Sequence, residues 1–394
     1  MTKKNRPKNI RRELSRQGQI LPESASERRL LGLDLLRSVA VLMILLSHMG
    51  PAPKAYGFLH ELHWAFIRGG WVAVDLFFVL SGFLVSGLLF DEHARHGHIS
   101  FGRFFIRRGF KIYPPLFFMM GITYVMYVSK YPLEFTDLLP WFAFLQNYLQ
   151  PARDYLWGYW GHTWTIANEE QFYLLLPFLL ILLSRVSKDR PFVAIPWIAG
   201  VVSLVCLGLR LWTDRLTPVY DTYTQRMPFH LRADSLFFGV LLSYLYHYHR
   251  ARFTEIVSRF KLLFFCLGVL FLMPALLFKE KVFFIHTFGL TVFYLGSGLL
   301  LASMLVHDFK SNRWMEPFVK IGVYSYSIYL WHYPLSNLYF SQLLEKLHLP
   351  HLNWAAYAAL HLAGCILAGV LASKGLEYPM LKLRDSLYPS LAKT

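Results

Sequence analysis

Only 3 of the 394 residues are cysteine, and Cys206, Cys266 and Cys365 each lie inside an apolar run. Such placement offers neither a disulfide framework nor a metal-ligand cluster, so the thiols read as small buried hydrophobes. No Gly-rich phosphate loop and no metal signature occur. No repeat of fixed period is visible, and no Pro/Gly/Ser-rich linker leads to a second domain. Charge is scarce as well, at 16% of residues, against about 25% in soluble domains. Acids are the rarer sign: 24 Asp and Glu face 40 Lys and Arg, for a net charge of +16.

Apolar residues fill the space. They make up 55% of the chain, aromatics 17%, and the mean hydropathy is +0.37. They come in blocks such as Leu174–Leu183 and Leu262–Leu277. About 20 such residues, at 1.5 Å each in a helix, cross a hydrocarbon core. The chain therefore reads as an all-α polytopic membrane protein. Spans are expected near 31–50, 71–90, 112–129, 170–185, 193–212, 232–248, 262–278, 284–305, 321–341 and 355–373, ten in all. The piece 141–150, "WFAFLQNYLQ", is too short to cross and reads as interfacial or re-entrant.

The placement of the positive charge argues against nucleic acid. With the N-terminus inside, 28 of the 40 Lys and Arg fall in cytoplasmic segments and 11 outside, leaving Arg37 within the first span. This is the positive-inside pattern, and it predicts both termini in the cytoplasm of a multi-pass inner (plasma) membrane protein. Residues 1–30 carry nine Lys and Arg before any apolar run, too late a start for a secretory signal. They read as a disordered basic tail that sets topology or touches anionic lipid. Residues 31–375 form one membrane domain, and 376–394 a short cytoplasmic tail.

Polar groups at membrane depth cost on the order of 2.5–3.5 kcal/mol each, so they face partners or cavities. The first span holds Asp34, Arg37 and His48. Eleven residues separate Arg37 from His48, about 20° beyond three full turns, so the two share a helix face some 16 Å apart along the axis. Asp34 falls on the same side. Arg37 and Asp34 either snorkel to the inner surface or begin a polar stripe that ends at His48, an imidazole suited to general-base work on a hydroxyl. Asp75 opens the second span, where Gly82 and Ser86 offer a small-residue packing face. His162 lies seven residues before Glu169, on one face if the segment is helical throughout, while Glu170 and Gln171 read equally well as interfacial. His332 sits mid-span beside Trp331. Arg232 and Asp234 begin the sixth span and read as a pair. At the entry to the third span, Arg103, Arg107, Arg108 and Lys111 are either a topological stop or a clamp for a phosphate-bearing ligand.

Taken together these segments resemble the membrane-bound acyltransferase-3 family. "DLLRSVAVLMILLSH" carries its R-x10-H pair, and "HTWTIANEEQFYLLLP" its W-T-x-x-x-E-x-Q-F-Y pattern. "VDLFFVLSGFLV", "FFIRRGFKIYP", "RADSLFFG", "YSIYLWHYPL" and "LEYPMLKLR" follow in family order, over roughly residues 31–385. The resemblance implies transfer of an acetyl or other acyl group from acyl-CoA to a hydroxyl of an extracytoplasmic or lipid-linked carbohydrate of the cell envelope, with no metal. It places the R-x10-H pair on Arg37 and His48 and the acid before Phe-Tyr on Glu169. The Arg-x-x-Arg pair falls on Arg108 and Lys111, beside Arg107. Here Lys111 departs from the usual Arg, and "TIAN" from the usual "SLSV". By the same resemblance Arg37, Arg107, Arg108 and Lys111 hold the donor, His48 is the base or nucleophile, and Glu169 or Asp75 orients it. No hydrolase-like domain is expected in the chain. The competing reading is a secondary transporter or flippase with a His/Glu/Arg relay. It lacks the paired halves with broken helices that such folds show.

Overall fold

The computed structural model describes residues 23–127, 134–149, 155–309, 313–336 and 353–389. Residues 1–22 of the expected basic tail, 337–341 of the expected ninth span and 390–394 of the C-terminal tail lie outside these. Among the described residues all regular structure is helical and no strand occurs. The helices are α1 Glu23–Ser47, α2 Phe58–Gly69, α3 Ala73–His96, α4 Phe101–Tyr127, α5 Phe135–Phe142, α6 Tyr155–Trp160, α7 Trp164–Val186 and α8 Ile195–Leu216. They continue as α9 Ala233–Tyr248, α10 Arg250–Arg259, α11 Lys261–Leu277, α12 Leu290–Val306, α13 Glu316–Val323, α14 Ser325–Pro334, α15 Trp354–Ala372 and α16 Tyr378–Leu387.

Among the described residues, five helical stretches are long and apolar enough to cross a membrane: Phe58–His96, Gly158–Val186, Ile195–Leu216, Ile285–Val306 and Trp354–Leu387. A sixth arises if α10 and α11, bent by 78° at their junction, count as one span. Two segments expected as full spans are shorter or broken. That expected at 232–248 is the 16-residue α9, and that at 321–341 breaks at Tyr324 between α13 and α14. Short or interrupted helices are tolerated at membrane depth where protein, rather than lipid, surrounds them. Helix α9 meets that condition, with Leu236, Val240, Ser243 and Tyr246 all buried.

Close approach explains how α9 is buried. It crosses α3 where Gly82 faces Gly239. A Cβ on Gly82 would stand 2.0 Å from the Leu236 carbonyl oxygen, and one on Gly239 2.3 Å from that of Val79. The small-residue face predicted over Gly82 and Ser86 is thus the α3–α9 contact, with the Ser86 hydroxyl turned back onto the Gly82 carbonyl (2.6 Å). Helix α1 is held against α13 in a similar way. A Cβ on Gly322 would overlap the Asp34 carbonyl, and the Ser38 hydroxyl donates to both the Asp34 and the Phe318 carbonyl oxygens.

The segment expected to be interfacial or re-entrant folds back onto the start of α7. After α5 the chain turns at Phe144 (φ 53°) and buries Gln146 and Asn147. Gln146 Nε2 donates to the Thr163 carbonyl (3.0 Å), Asn147 Nδ2 to Asn168 Oδ1 (2.6 Å), and Gln171 Nε2 to the Phe144 carbonyl (2.7 Å). These amides satisfy a non-helical stretch that lipid could not, and they fix the turn that carries His162.

Gly239→Val should force α3 and α9 apart. Overpacking of this kind costs typically about 1–3 kcal/mol and often more against backbone. We expect a clear fall in melting temperature in detergent, read by fluorescence-detected size exclusion. A wild-type melting profile would contradict the close crossing.

Candidate active site

A cavity of about 540 Å³ opens among α1, α3, α4, α7, α13, α14 and α16. Cations gather at its mouth, where Arg37, Arg103, Arg107, Arg108, Lys111 and Arg384 line it; Asp91 and Glu92 line it as well. Three of these cations belong to the sequence-predicted donor set on one turn and a half of α4. Their surroundings differ. The Arg107 guanidinium donates to the Tyr388 carbonyl and meets Asp385 at 3.0 Å, and Arg103 donates to the Pro389 carbonyl. Arg37 meets Asp34 at 2.8 Å. Arg108 and Lys111 make no ion pair or hydrogen bond among the described residues. The Arg108 guanidinium carbon instead stands 5.0 Å from the Tyr173 ring centre and 5.9 Å from that of Phe104.

Glu169 lines the same cavity and accepts from the Tyr173 hydroxyl (3.1 Å), with the charges of Arg108 and Lys111 beside it. It belongs with the cations. Its neighbour Glu170, read as interfacial, is buried and accepts from the Tyr113 hydroxyl at 2.8 Å.

At the inner end the cavity is walled by Phe77, Thr165 and Tyr329. The Tyr329 hydroxyl donates to the His162 carbonyl (2.7 Å) and lies 2.8 Å from Thr165 Oγ1. Its ring packs on Phe77 (6.2 Å between centres) on one side and on His332 (5.3 Å) and His162 (5.4 Å) on the other.

Behind this ring three histidines meet. His332 is 5.1 Å from His48 and 5.3 Å from His162, centre to centre, and Tyr333 packs edge-on to His48 (5.0 Å) and flat on His162 (4.9 Å). Each imidazole has one nitrogen on a backbone carbonyl, which can only accept, so that nitrogen carries the proton. His48 Nδ1 bonds the Ile44 carbonyl (2.9 Å), His332 Nδ1 that of Tyr329 (2.5 Å) and His162 Nε2 that of Leu330 (3.1 Å). Two of the second nitrogens are left as lone pairs: among the described residues, His162 Nδ1 and His332 Nε2 are buried with no partner. The Ser47 hydroxyl, 3.2 Å from His48 Nδ1, completes that ring's contacts on its own helix. The chain rises helically from Arg37 to His48, whose amide still bonds the Ile44 carbonyl. The expected stripe therefore runs from the cavity wall to the histidine cluster.

Three expectations need correcting. Neither Asp75 nor Glu169 is among the partners of His48; a backbone carbonyl and Ser47 orient it. Asp75 bonds Arg232 at 2.8 Å, both 1% exposed, while Asp234 bonds the buried Arg210. Arg232 and Asp234 thus take different partners, because residues two apart on a helix do not face each other. His162 and Glu169 do not share one continuous helix, since Gly161–Thr163 is a tighter turn ahead of α7.

The order of these parts along the chain decides the family. An acyltransferase domain model matches residues 30–371. The chain belongs to the acyltransferase-3 family. Among its relatives are the peptidoglycan O-acetyltransferase OatA of Listeria monocytogenes serovar 1/2a (strain EGD-e), 27% identical over 334 residues, and the O-acetyltransferase OatA of Staphylococcus aureus (strain NCTC 8325), 27% identical over 332. The alignments cover 78% and 80% of this chain but 49% and 52% of those proteins, so the chain spans about half the length of the relatives it matches. No solved structure matches it. Sequence reasoning passed over Tyr329 and Tyr333, within the matched residues, and Arg384, beyond them: Tyr329 and Arg384 line the cavity, and Tyr333 packs on His48 and His162. The first two stand in the quoted "YSIYLWHYPL", hidden by an aromatic-rich composition. Arg384 ends "LEYPMLKLR" and reads there as one more cytoplasmic base.

Removing one partner of a buried ion pair costs about 3–5 kcal/mol, whereas replacing both with apolar groups is often neutral. Asp75→Ala should therefore lower the melting temperature sharply, and Asp75→Leu combined with Arg232→Leu should restore most of it. Equal damage from the double change would mean that Asp75 does more than pair.

Proposed function

We propose that the chain is an integral-membrane O-acyltransferase. It takes an acetyl, or another short acyl group, from acyl-CoA and esterifies a hydroxyl of an extracytoplasmic or lipid-linked carbohydrate. The observation that carries this reading is one cavity with cations at its mouth and three carbonyl-locked imidazoles behind its far wall. The likeness to the Listeria peptidoglycan O-acetyltransferase makes peptidoglycan the first acceptor to test. In this reading the chain crosses the plasma membrane ten times with both termini cytoplasmic, as the distribution of Lys and Arg favours, so the basic mouth faces the cytosol.

The donor's phosphates sit among the cations, where Arg108 and Lys111 make no hydrogen-bonded ion pair among the described residues. Glu169 keeps those two side chains positioned. The thioester reaches the Tyr329 end of the cavity. His48, with Nδ1–H spent on Ile44, presents Nε2 as the base. It takes the proton from the acceptor hydroxyl as that oxygen attacks the thioester carbonyl. The C–S bond then breaks, and the CoA thiolate recovers the proton from the imidazolium. Positioned general-base help of this kind is worth about 10²–10⁴-fold. His162 and His332 have their tautomers fixed in the same way; His332 and Tyr333 flank the ring of His48, and His162 packs on both of them.

His48→Ala should lose acyl transfer by at least about 10²-fold while inserting and accumulating normally. Proteoliposomes given labelled acetyl-CoA and a muropeptide or lipid-linked glycan read the transfer directly. Near-normal label on the acceptor from His48→Ala removes His48 from the chemistry. Uptake of label without transfer favours the transporter reading. Arg108→Ala should act mainly on the apparent affinity for acetyl-CoA, and an unchanged KM moves the donor away from α4.

A further inference from the structure

The C-terminal helix contributes to the cavity in a way the α4 cations do not explain. Arg384 of α16 lines the mouth with its side chain 18% exposed, and Arg107 of α4 reaches the same place with its side chain 21% exposed. One carboxylate joins them. Asp385 Oδ1 lies 3.0 Å from Arg107 Nη2, 3.0 Å from Arg384 Nε and 2.9 Å from Arg384 Nη2. The Asp385 side chain is itself 53% exposed, so it pins two guanidiniums without removing them from solvent. The neighbouring carbonyls of Tyr388 and Pro389 take bonds from Arg107 and Arg103 and fix α16 over the mouth. Two guanidinium forks converging on one exposed carboxylate oxygen present the donor geometry that a dianionic phosphomonoester accepts. Arg108 and Lys111 line the same cavity within about one helical turn further along α4.

We propose that Arg384 and Arg107 form a subsite for a terminal phosphomonoester of the donor, separate from the Arg108–Lys111 region that takes its diphosphate. The inference rests on the donor reading above and deepens it: the preferred donor is one bearing a 3′-phosphate on its ribose, not merely a pantetheine thioester. Asp385 is the positioning residue that holds the two guanidiniums parallel before the donor arrives.

The test compares acetyl-CoA with acetyl-dephospho-CoA, which lacks only that phosphate, on the full chain in proteoliposomes. Wild type should favour acetyl-CoA by about 10- to 100-fold in KM, the worth of one or two charge-assisted bonds. Arg384→Ala should lose most of that preference, its KM for acetyl-dephospho-CoA staying within about twofold of wild type, and Arg384→Lys should retain part of it. Elution as a monodisperse peak and an unchanged KM for the dephospho donor show that the variant is folded. Equal weakening toward both donors, or no change toward either, overturns the subsite. The donor reading fails separately, if wild type transfers acetyl from neither compound.

Discussion

Charge buried in an apolar helical bundle is tolerated only in matched sets, and two such sets fix how three helices meet. Asp75 on α3 is tied to Arg232 at the head of α9, and Asp234 two residues on to Arg210 on α8. All four side chains are almost wholly out of solvent. Neither pair is individually a strong source of stability, because desolvation offsets most of the attraction. What they supply is register: sliding α9 along α3 separates two ion pairs at once and drives the Gly82–Gly239 crossing into backbone overlap. With that crossing fixed, α3 offers Phe77 and Ser81 to one cavity, and the cavity has a defined inner end.

The same rule sorts the remaining polar groups by whether they have partners. Amides of the non-helical stretch pair in the ladder of Gln146, Asn147, Asn168 and Gln171. Among the described residues, buried polar atoms without a protein partner occur within the structural ion pair of Asp75 and Arg232 as well as beside the cavity, at Glu170, His162 and His332. Unsatisfied polar groups are expensive in such surroundings, so the open nitrogens of His162 and His332 beside the cavity wall are the ones a ligand there would complete.

Much of this was legible in the sequence, and the reasons for the rest are physical. Helical period alone placed Arg37 and His48 on one face of α1, and the resemblance grouped Arg37, Arg107, Arg108 and Lys111, which line one cavity. Period says nothing about which helices meet, however. His162 reaches the carbonyl of Leu330 across 168 residues, and Asp75 reaches Arg232 across 157. Pairing Arg232 with Asp234 relied on nearness in sequence, where helix geometry sets the two side chains apart. Taking Asp75 or Glu169 as the partner of His48 relied on a carboxylate being the usual orienter, whereas here the carbonyl one turn back does that work. Hydropathy marks 232–248 and 321–341 as apolar lengths but not that protein surrounds α9 or that the second breaks at Tyr324.

Tyr329 sets the remaining constraint. It is shared by the two compartments, lining the cavity with one side of its ring and covering His332 and His162 with the other. Its hydroxyl donates to the His162 carbonyl and lies against Thr165. The wall between the cavity and the imidazoles is thus fixed by the same turn, Gly161–Thr163, that carries one of those imidazoles. A change at Tyr329 or Thr165 therefore alters the cavity end and the placement of His162 together.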